Sequence, residues 1–281
     1  MIAAPQTTPS SPTLDHTFLR WAGSKRQILP ILCTYWDTKH QRYIEPFAGS
    51  ASLFFKLRPH EAVLSDLNNE LIQTFRQLKY HPEEVSIALR KFKKGRQEYL
   101  KLRALSEKDL LPTERAARFI YLNRFCFNGL YRTNLSGAFN VPYGGTRSGE
   151  IPSEQLLTAC SSALKAAKLL HGDFENTLNL AGKDDFVYMD PPFSVESRRV
   201  FKEYNRAVFS LDDVKRLRRW MEVLDERKTS FVVSYAECPE GKILKDGFAV
   251  QKVSVRRNIA GFAASRSQST ELIISNFKPT P

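Results

Sequence analysis

From Gln41 onward, short runs rich in β-branched and aromatic residues alternate with segments of helical period, and few folds accommodate that alternation. RYIEPF is followed by a helical pattern near Ala51 to Leu57, then by EAVLSD, then by a helix from about Asn68 to Lys79 in which Leu71, Ile72, Phe75 and Leu78 recur at helical spacing. Strands that alternate with helices imply a parallel sheet. The pattern breaks from His81 to Arg124, a charged helical stretch without a convincing strand, and from Phe125 to Pro152, which is glycine-rich and loop-like. It resumes with predicted strands at Ala167–His171, Phe186–Met189, Phe231–Ser234, Phe248–Ser254 and Glu271–Ser275. A long basic helix near Leu211–Arg227 lies among them. The expectation is one α/β domain assembled from both ends of the chain, with a basic helical insertion. The segment before it, residues 1–17, is rich in Pro, Thr and Ser and reads as a disordered tail. A further helix is expected to start near Arg26.

Asp190-Pro191-Pro192-Phe193 directly follows the apolar strand FVYM, and in an open α/β sheet ligands bind at the C-terminal ends of strands. The residue types suit one kind of chemistry. An adenine amine is a poor nucleophile because its lone pair is delocalised into the ring, so a catalyst must hydrogen-bond its N–H groups. Asp190 can accept one such bond and the carbonyl of Pro191 another, while the paired prolines fix the direction of that carbonyl. Phe193 offers an aromatic face to an unstacked base. Taken alone, the same tetrapeptide also reads as an ordinary strand-ending turn.

Tyr43 to Ser50 is a second strand that runs into a small-residue turn, where Gly49 allows close approach of a ligand to the backbone. Asp66 ends the next strand seventeen positions later, near the spacing at which an acidic residue reaches ribose hydroxyls. With one glycine and no GxGxxG, an adenosyl ligand other than NAD is favoured. His171-Gly172-Asp173-Phe174 offers a carboxylate and a ring for an adenine, or is a plain turn. Phe18 to Lys25 places an aromatic, a glycine and a lysine before a helix, suited either to a ligand carboxylate or to packing of Trp21.

The chain carries 42 Lys and Arg against 30 Asp and Glu, and between Arg76 and Arg147 the counts are 15 and 6. Such an excess suits a polyanion through phosphate contacts, or else a solvated basic surface. Asn123 to Arg132, with Asn134 and Asn140 beyond it, interleaves basic, amide and aromatic side chains of the kinds that read base edges. The four cysteines form no CxxC or Cys/His cluster, so neither a zinc site nor a disulfide framework is expected, and a reducing cytoplasm fits. No apolar run nears the ~20 residues of a membrane helix.

The segments FLRWAGSK, EPFAGSAS, LSDLNNELI, YLNRFCFNGLYRTNLSGAFNVPYG, DPPF and VRRNIAGFAASRSQSTELII, in this order, resemble the Dam-type DNA adenine-N6 methyltransferases over about Phe18 to Phe277. The resemblance implies a class I, Rossmann-like methyltransferase fold: a seven-stranded, mostly parallel sheet made of residues 18–75 and 153–281, with a helical target-recognition insertion at 76–152. It implies S-adenosylmethionine as cofactor, held by Trp21, Ala22, Gly23, Lys25, Glu45, Phe47, Gly49, Asp66, Asp173 and Phe174. It assigns catalysis to Asp190, Pro191, Pro192 and Phe193, without a metal. It gives DNA contact to Arg20, Asn128, Leu130 and Arg132, with Asn134 beside them, and double-stranded GATC as target. Arg198, Arg199, Arg256 and Arg257 are expected on the DNA backbone while the adenine flips out. Arg20 stands where relatives often carry lysine. Phe193 replaces the commoner tyrosine, which implies slower turnover, and Gly144-Gly145-Thr146 lacks the basic and aromatic residues some GATC enzymes have there. A monomer is expected, and nothing in the residues names a restriction endonuclease partner. Competing readings are a non-catalytic DNA-binding protein of the same fold, or a methyltransferase acting on cytosine N4, on RNA adenine or on a protein amide.

Overall fold

The apolar strands hand alternate side chains to opposite faces of one sheet, and the core is divided accordingly. The computed structural model describes residues 17–134, 136–193, 209–258 and 266–279, and omits the side chains of 256–258 and 266–268. Its elements run α1 (Leu29–Cys33), β1 (Tyr43–Glu45), α2 (Ser52–Leu57), β2 (Ala62–Asp66), α3 (Asn69–Tyr80), α4 (Pro82–Arg90), α5 (Arg96–Ala104), α6 (Pro112–Phe125) and α7 (Glu154–Leu164). They continue with β3 (Ala167–His171), α8 (Phe174–Leu178), β4 (Phe186–Met189), α9 (Leu211–Glu226), β5 (Ser230–Ala236), α10 (Pro239–Lys245), β6 (Ala249–Asn258) and β7 (Arg266–Ser275). The expected seven-stranded, mostly parallel sheet is present. Its order is β3-β2-β1-β4-β5-β7-β6, with β7 antiparallel to both neighbours.

Tyr43, Leu64, Phe186, Tyr188, Val232 and Ile273 face one cluster, which is completed by α1 to α7. Ile44, Val63, Val187, Met189, Val233 and Ile274 face the other, completed by α8, α9 and α10. This period of two is what a sheet covered on both sides requires. The first cluster runs without a break into α4, α5 and α6 through Val85, Leu89, Tyr99, Leu102, Ile120 and Tyr121. The helical segment therefore shares its core with the sheet. Among the described residues no helix is long and apolar enough to cross a membrane.

Helix boundaries follow local chemistry. The Asn68 side chain caps α3, Ser153 caps α7, and Ser210 with Asp213 makes a capping box at α9. The helix expected near Arg26 starts at Leu29, because Pro30 has no N–H to donate and is tolerated in a first turn only. The last two strands extend past their apolar stretches, to Asn258 and from Arg266, since an antiparallel ladder is held by backbone hydrogen bonds whatever the side chains. Residues 1–16, Arg198 and Arg199 lie outside the described residues.

Inside the helical segment, Arg118 is buried and donates to the carbonyls of Leu102 and Arg103 and to Glu107 at 3.1 Å. Glu70 on α3 accepts from the Tyr131 hydroxyl and hydrogen-bonds Glu107. Burial, reinforced by Glu107, pushes the Glu70 carboxyl up to about 8. The folded protein thus holds a proton there that an unfolded chain releases near the ordinary carboxylate range. That contribution to stability is complete below the unfolded value and is lost as pH rises toward the folded one. Melting temperature is therefore expected to fall between about pH 5 and pH 8, by about 2–4 °C for each kcal/mol involved. Glu70→Gln, which keeps the acceptor for Tyr131, should flatten that slope in a calorimetric pH series.

Candidate active site

Strand order reverses between β1 and β4, which pair in parallel through Tyr43 with Phe186 and Ile44 with Val187. At such a switch point the loops leaving the two strands turn in opposite directions and open a crevice. A cavity of about 700 Å³ occupies it. Its walls bring together Trp21, Ala22, Gly23, Lys25, Glu45, Phe47, Gly49, Asp66, Asp173, Phe174 and Asp190 to Phe193, with Leu130 at its edge.

The loop after β1 is held open by Asp66, whose carboxylate accepts from the backbone N–H of Gly49 at 3.0 Å and of Asn68 at 2.9 Å. Gly49 has φ +47°, and a Cβ there would meet the Trp21 ring at 2.9 Å. Only glycine lets that ring and that turn coexist. The Phe47 and Phe174 rings lie 5.3 Å apart, and the Arg216 guanidinium sits over Phe174 while pairing with Asp173 at 2.8 Å. Asp173 also caps α8 through the N–H of Glu175. One end of the cavity is thus aromatic and acidic, suited to a flat nitrogenous ring and to hydroxyl donors.

Asp190 lies at the other end, just beyond β4. Its Oδ1 is 2.8 Å from the Lys25 Nζ and accepts from the Ser234 hydroxyl at 3.2 Å, and Ser234 in turn bonds Tyr188. Burial pushes the Asp190 carboxyl up, while Lys25 and the Ser234 hydroxyl pull it back. Burial works against the Lys25 charge, but Asp190 and Glu271 outweigh it and hold the ammonium above its ordinary value. Lys25 spends its three donors on Asp190, on Glu271 at 3.0 Å and on the Gly23 carbonyl at 3.2 Å. It therefore acts on this cavity through Asp190. Phe193 meets Tyr235 edge to face at 5.4 Å, with the Lys25 Nζ 5.3 Å from its ring centre. Glu45 is buried and accepts from the Tyr43 hydroxyl, and desolvation raises its carboxyl far above the usual range.

The segment proposed to read DNA packs against the same rim. The Ala22 N–H donates to the Gly129 carbonyl, and Arg20 and Asn123 exchange two hydrogen bonds. Gly129 has φ +65°, and a Cβ there would fall 2.6 Å from the Arg20 carbonyl oxygen. The Arg20 guanidinium binds the carbonyls of Arg124 and Arg147. Asn128 takes the left-handed conformation at φ 54°, Arg132 bonds the side chain and carbonyl of Asn140, and Asn134 closes the turn to Ala138. Tyr131 stacks on Trp21 at 6.1 Å and so joins this segment to the cavity wall. Arg256 and Arg257 lie on β6, with their side chains outside the described residues.

Several contributors escaped the sequence reading. Ser234 is a polar residue within an otherwise apolar strand, a signal that could have flagged it, whereas Glu271 ends the polar stretch of β7 and does not stand out. Phe209 and Asp213 line the cavity from the start of α9 and carried no signal.

Residues 21–259 match the family model described as D12 class N6 adenine-specific DNA methyltransferase. The chain is 36% identical over 270 residues to the Type II methyltransferase M1.LlaDCHI of Lactococcus lactis subsp. cremoris, covering 92% of this chain and 95% of that one. It is 34% identical to the Type II methyltransferase M.MjaIII of Methanocaldococcus jannaschii, covering 92% and 98%. To the DNA adenine methylase of Escherichia coli (strain K12) it is 28% identical, covering 94% and 96%. With the DPPF tetrapeptide at the end of β4 and an acidic, aromatic crevice beside it, the chain belongs to the D12 class N6 adenine-specific DNA methyltransferase family.

Proposed function

We propose that the protein transfers a methyl group from S-adenosylmethionine to N6 of an adenine flipped out of double-stranded DNA, within GATC. The observation that carries this is Asp190. A carboxylate anchored by Lys25 and Ser234 stands at the sheet's switch point, in one crevice with a ring-binding end. The residues present fit the cofactor. The Phe47 and Phe174 rings suit its adenine, Asp66 its ribose hydroxyls and Asp173 its ring amine, and the turn at Gly49, packed on the Trp21 ring, lines the same cavity. When bound it supplies an electrophilic methyl group on a sulfonium.

The chain's own residues supply alignment. Asp190 and the carbonyl of Pro191 accept hydrogen bonds from the target amine, which sharpen its nucleophilicity as it becomes tetrahedral. Phe193 stacks on the extruded base and offsets part of the few kcal/mol that flipping costs. Residues 18–75 and 153–281 act as the catalytic domain, and 76–152 as the recognition domain. Within the latter, Leu130 is assigned to a thymine methyl and Arg132 to a guanine.

The test is transfer of a labelled methyl group to duplexes with or without GATC, followed by identification of the base. N6-methyladenine confined to the GATC duplex supports both chemistry and target, while the same base in both duplexes rejects the target. Arg132→Ala is expected to erode discrimination at the guanine by about 1–3 kcal/mol, read as kcat/KM on cognate against substituted duplexes.

A further inference from the structure

Behind Asp190, its anchor Lys25 is shared with a second buried carboxylate, Glu271, which the methyl-transfer reading does not use. Lys25 and Glu271 have side chains only 8% exposed each, against 22% for Asp190. Glu271 sits on β7, opposite Ala236 of β5 and Val253 of β6. It is absent from the walls of the larger cavity and instead lines a smaller one, of about 200 Å³, behind Phe193. Replacing a buried charge cluster of this kind by apolar side chains of similar size is often neutral or stabilising, so stability alone is a weak reason for it.

We propose that Lys25 and Glu271 are a positioning pair for Asp190: the ammonium keeps that carboxylate anionic and aimed at the target amine, and Glu271 limits how tightly the ammonium holds it. The proposal rests on the reading of Asp190 as acceptor of the amine. The geometry is a shared cation, with Nζ 2.8 Å from Asp190 and 3.0 Å from Glu271. An ammonium held by Asp190 alone would draw that carboxylate's charge toward itself and leave a weaker acceptor for the amine. An ammonium held by both anions fixes the Asp190 Oδ1 and leaves its charge available. The other groups facing Asp190 are the Ser234 hydroxyl from β5, the Tyr188 hydroxyl from β4 and the Glu45 carboxyl from β1.

The two members of the pair bias Asp190 in opposite senses, and this makes the test selective. Transfer requires the carboxylate, so activity is lost as pH falls through the Asp190 pKa. Glu271 raises that pKa and Lys25 lowers it. Single-turnover methylation of duplex DNA, across roughly pH 5 to 9 and at saturating S-adenosylmethionine, should therefore show the acid limb moving down by about half a pH unit in Glu271→Gln and up by about one to two in Lys25→Met. At the optimum, Glu271→Gln should be slower by about tenfold and Lys25→Met by about a hundredfold, with cofactor affinity by calorimetry near wild type in Glu271→Gln, whose side chain does not line the larger cavity. Glu271→Asp, which keeps the charge, should restore the wild-type limb. Limbs that stay in place or move together, with rate losses that track the folded fraction, would overturn the pair and leave a merely structural bridge. Wild-type protein that makes no N6-methyladenine would instead overturn the reading of Asp190 beneath it.

Discussion

Asp190→Ala is expected to lower single-turnover methyl transfer by at least about a thousandfold while leaving affinity for duplex DNA within a few-fold of wild type. The reaction asks the enzyme to accept hydrogen bonds from an amine whose lone pair is otherwise committed to the ring. Alanine removes one acceptor outright, and water admitted to the space is not preorganised. Both anchoring contacts of Asp190 fall on Oδ1, from Lys25 at 2.8 Å and Ser234 at 3.2 Å, so on the proposed function Oδ2 is the acceptor for the amine. Asp190→Asn should be nearly as inactive, because its amide turns a donor toward another donor. Folding should survive either change, since Lys25 keeps Glu271 as a counter-charge. A filter assay for rate and fluorescence anisotropy for DNA affinity separate the two effects. A variant that transfers methyl at more than a tenth of the wild-type rate would remove Asp190 from the mechanism.

The contrast between Asp190 and Glu271 shows where the sequence was legible. Asp190 and Asp66 end strands, and a strand end preceding a small-residue or proline turn can be read from local pattern alone. Glu271 and Ser234 reach Asp190 only because the sheet runs β4-β5-β7, so that residues far apart in the chain become neighbours across strands. Hydrophobic period identifies strands but says nothing of their order. The same limit explains the last hairpin: its outer half is held by backbone bonds between Val255 and Ser269 and beyond, which leave no apolar trace. The βαβα opening, by contrast, was plain, because β1 and β2 pair with each other and are buried along nearly their whole length.

Asp66→Ala should cost the protein its cofactor before it costs it the fold. The Asp66 carboxylate is the acceptor for two backbone donors, the N–H of Gly49 and that of Asn68, which shape the turn after β1 and the entrance to α3. Removing it leaves both donors unsatisfied beside an apolar wall, at about 1–3 kcal/mol each. It also removes the acceptor assigned to the ribose hydroxyls. The turn can recover one donor by admitting water, but only by giving up the backbone path that keeps Gly49 against the Trp21 ring. Cofactor affinity should therefore fall by about two orders of magnitude or more, since each 1.4 kcal/mol is a factor of ten. Asp66→Asn should lie between, because one amide oxygen can serve Gly49 or Asn68 but its –NH2 opposes the other. Isothermal calorimetry of S-adenosylmethionine binding, with melting temperature measured alongside, resolves the series. Equal affinities for all three proteins would place the ribose elsewhere in the crevice and leave Asp66 with the turn alone.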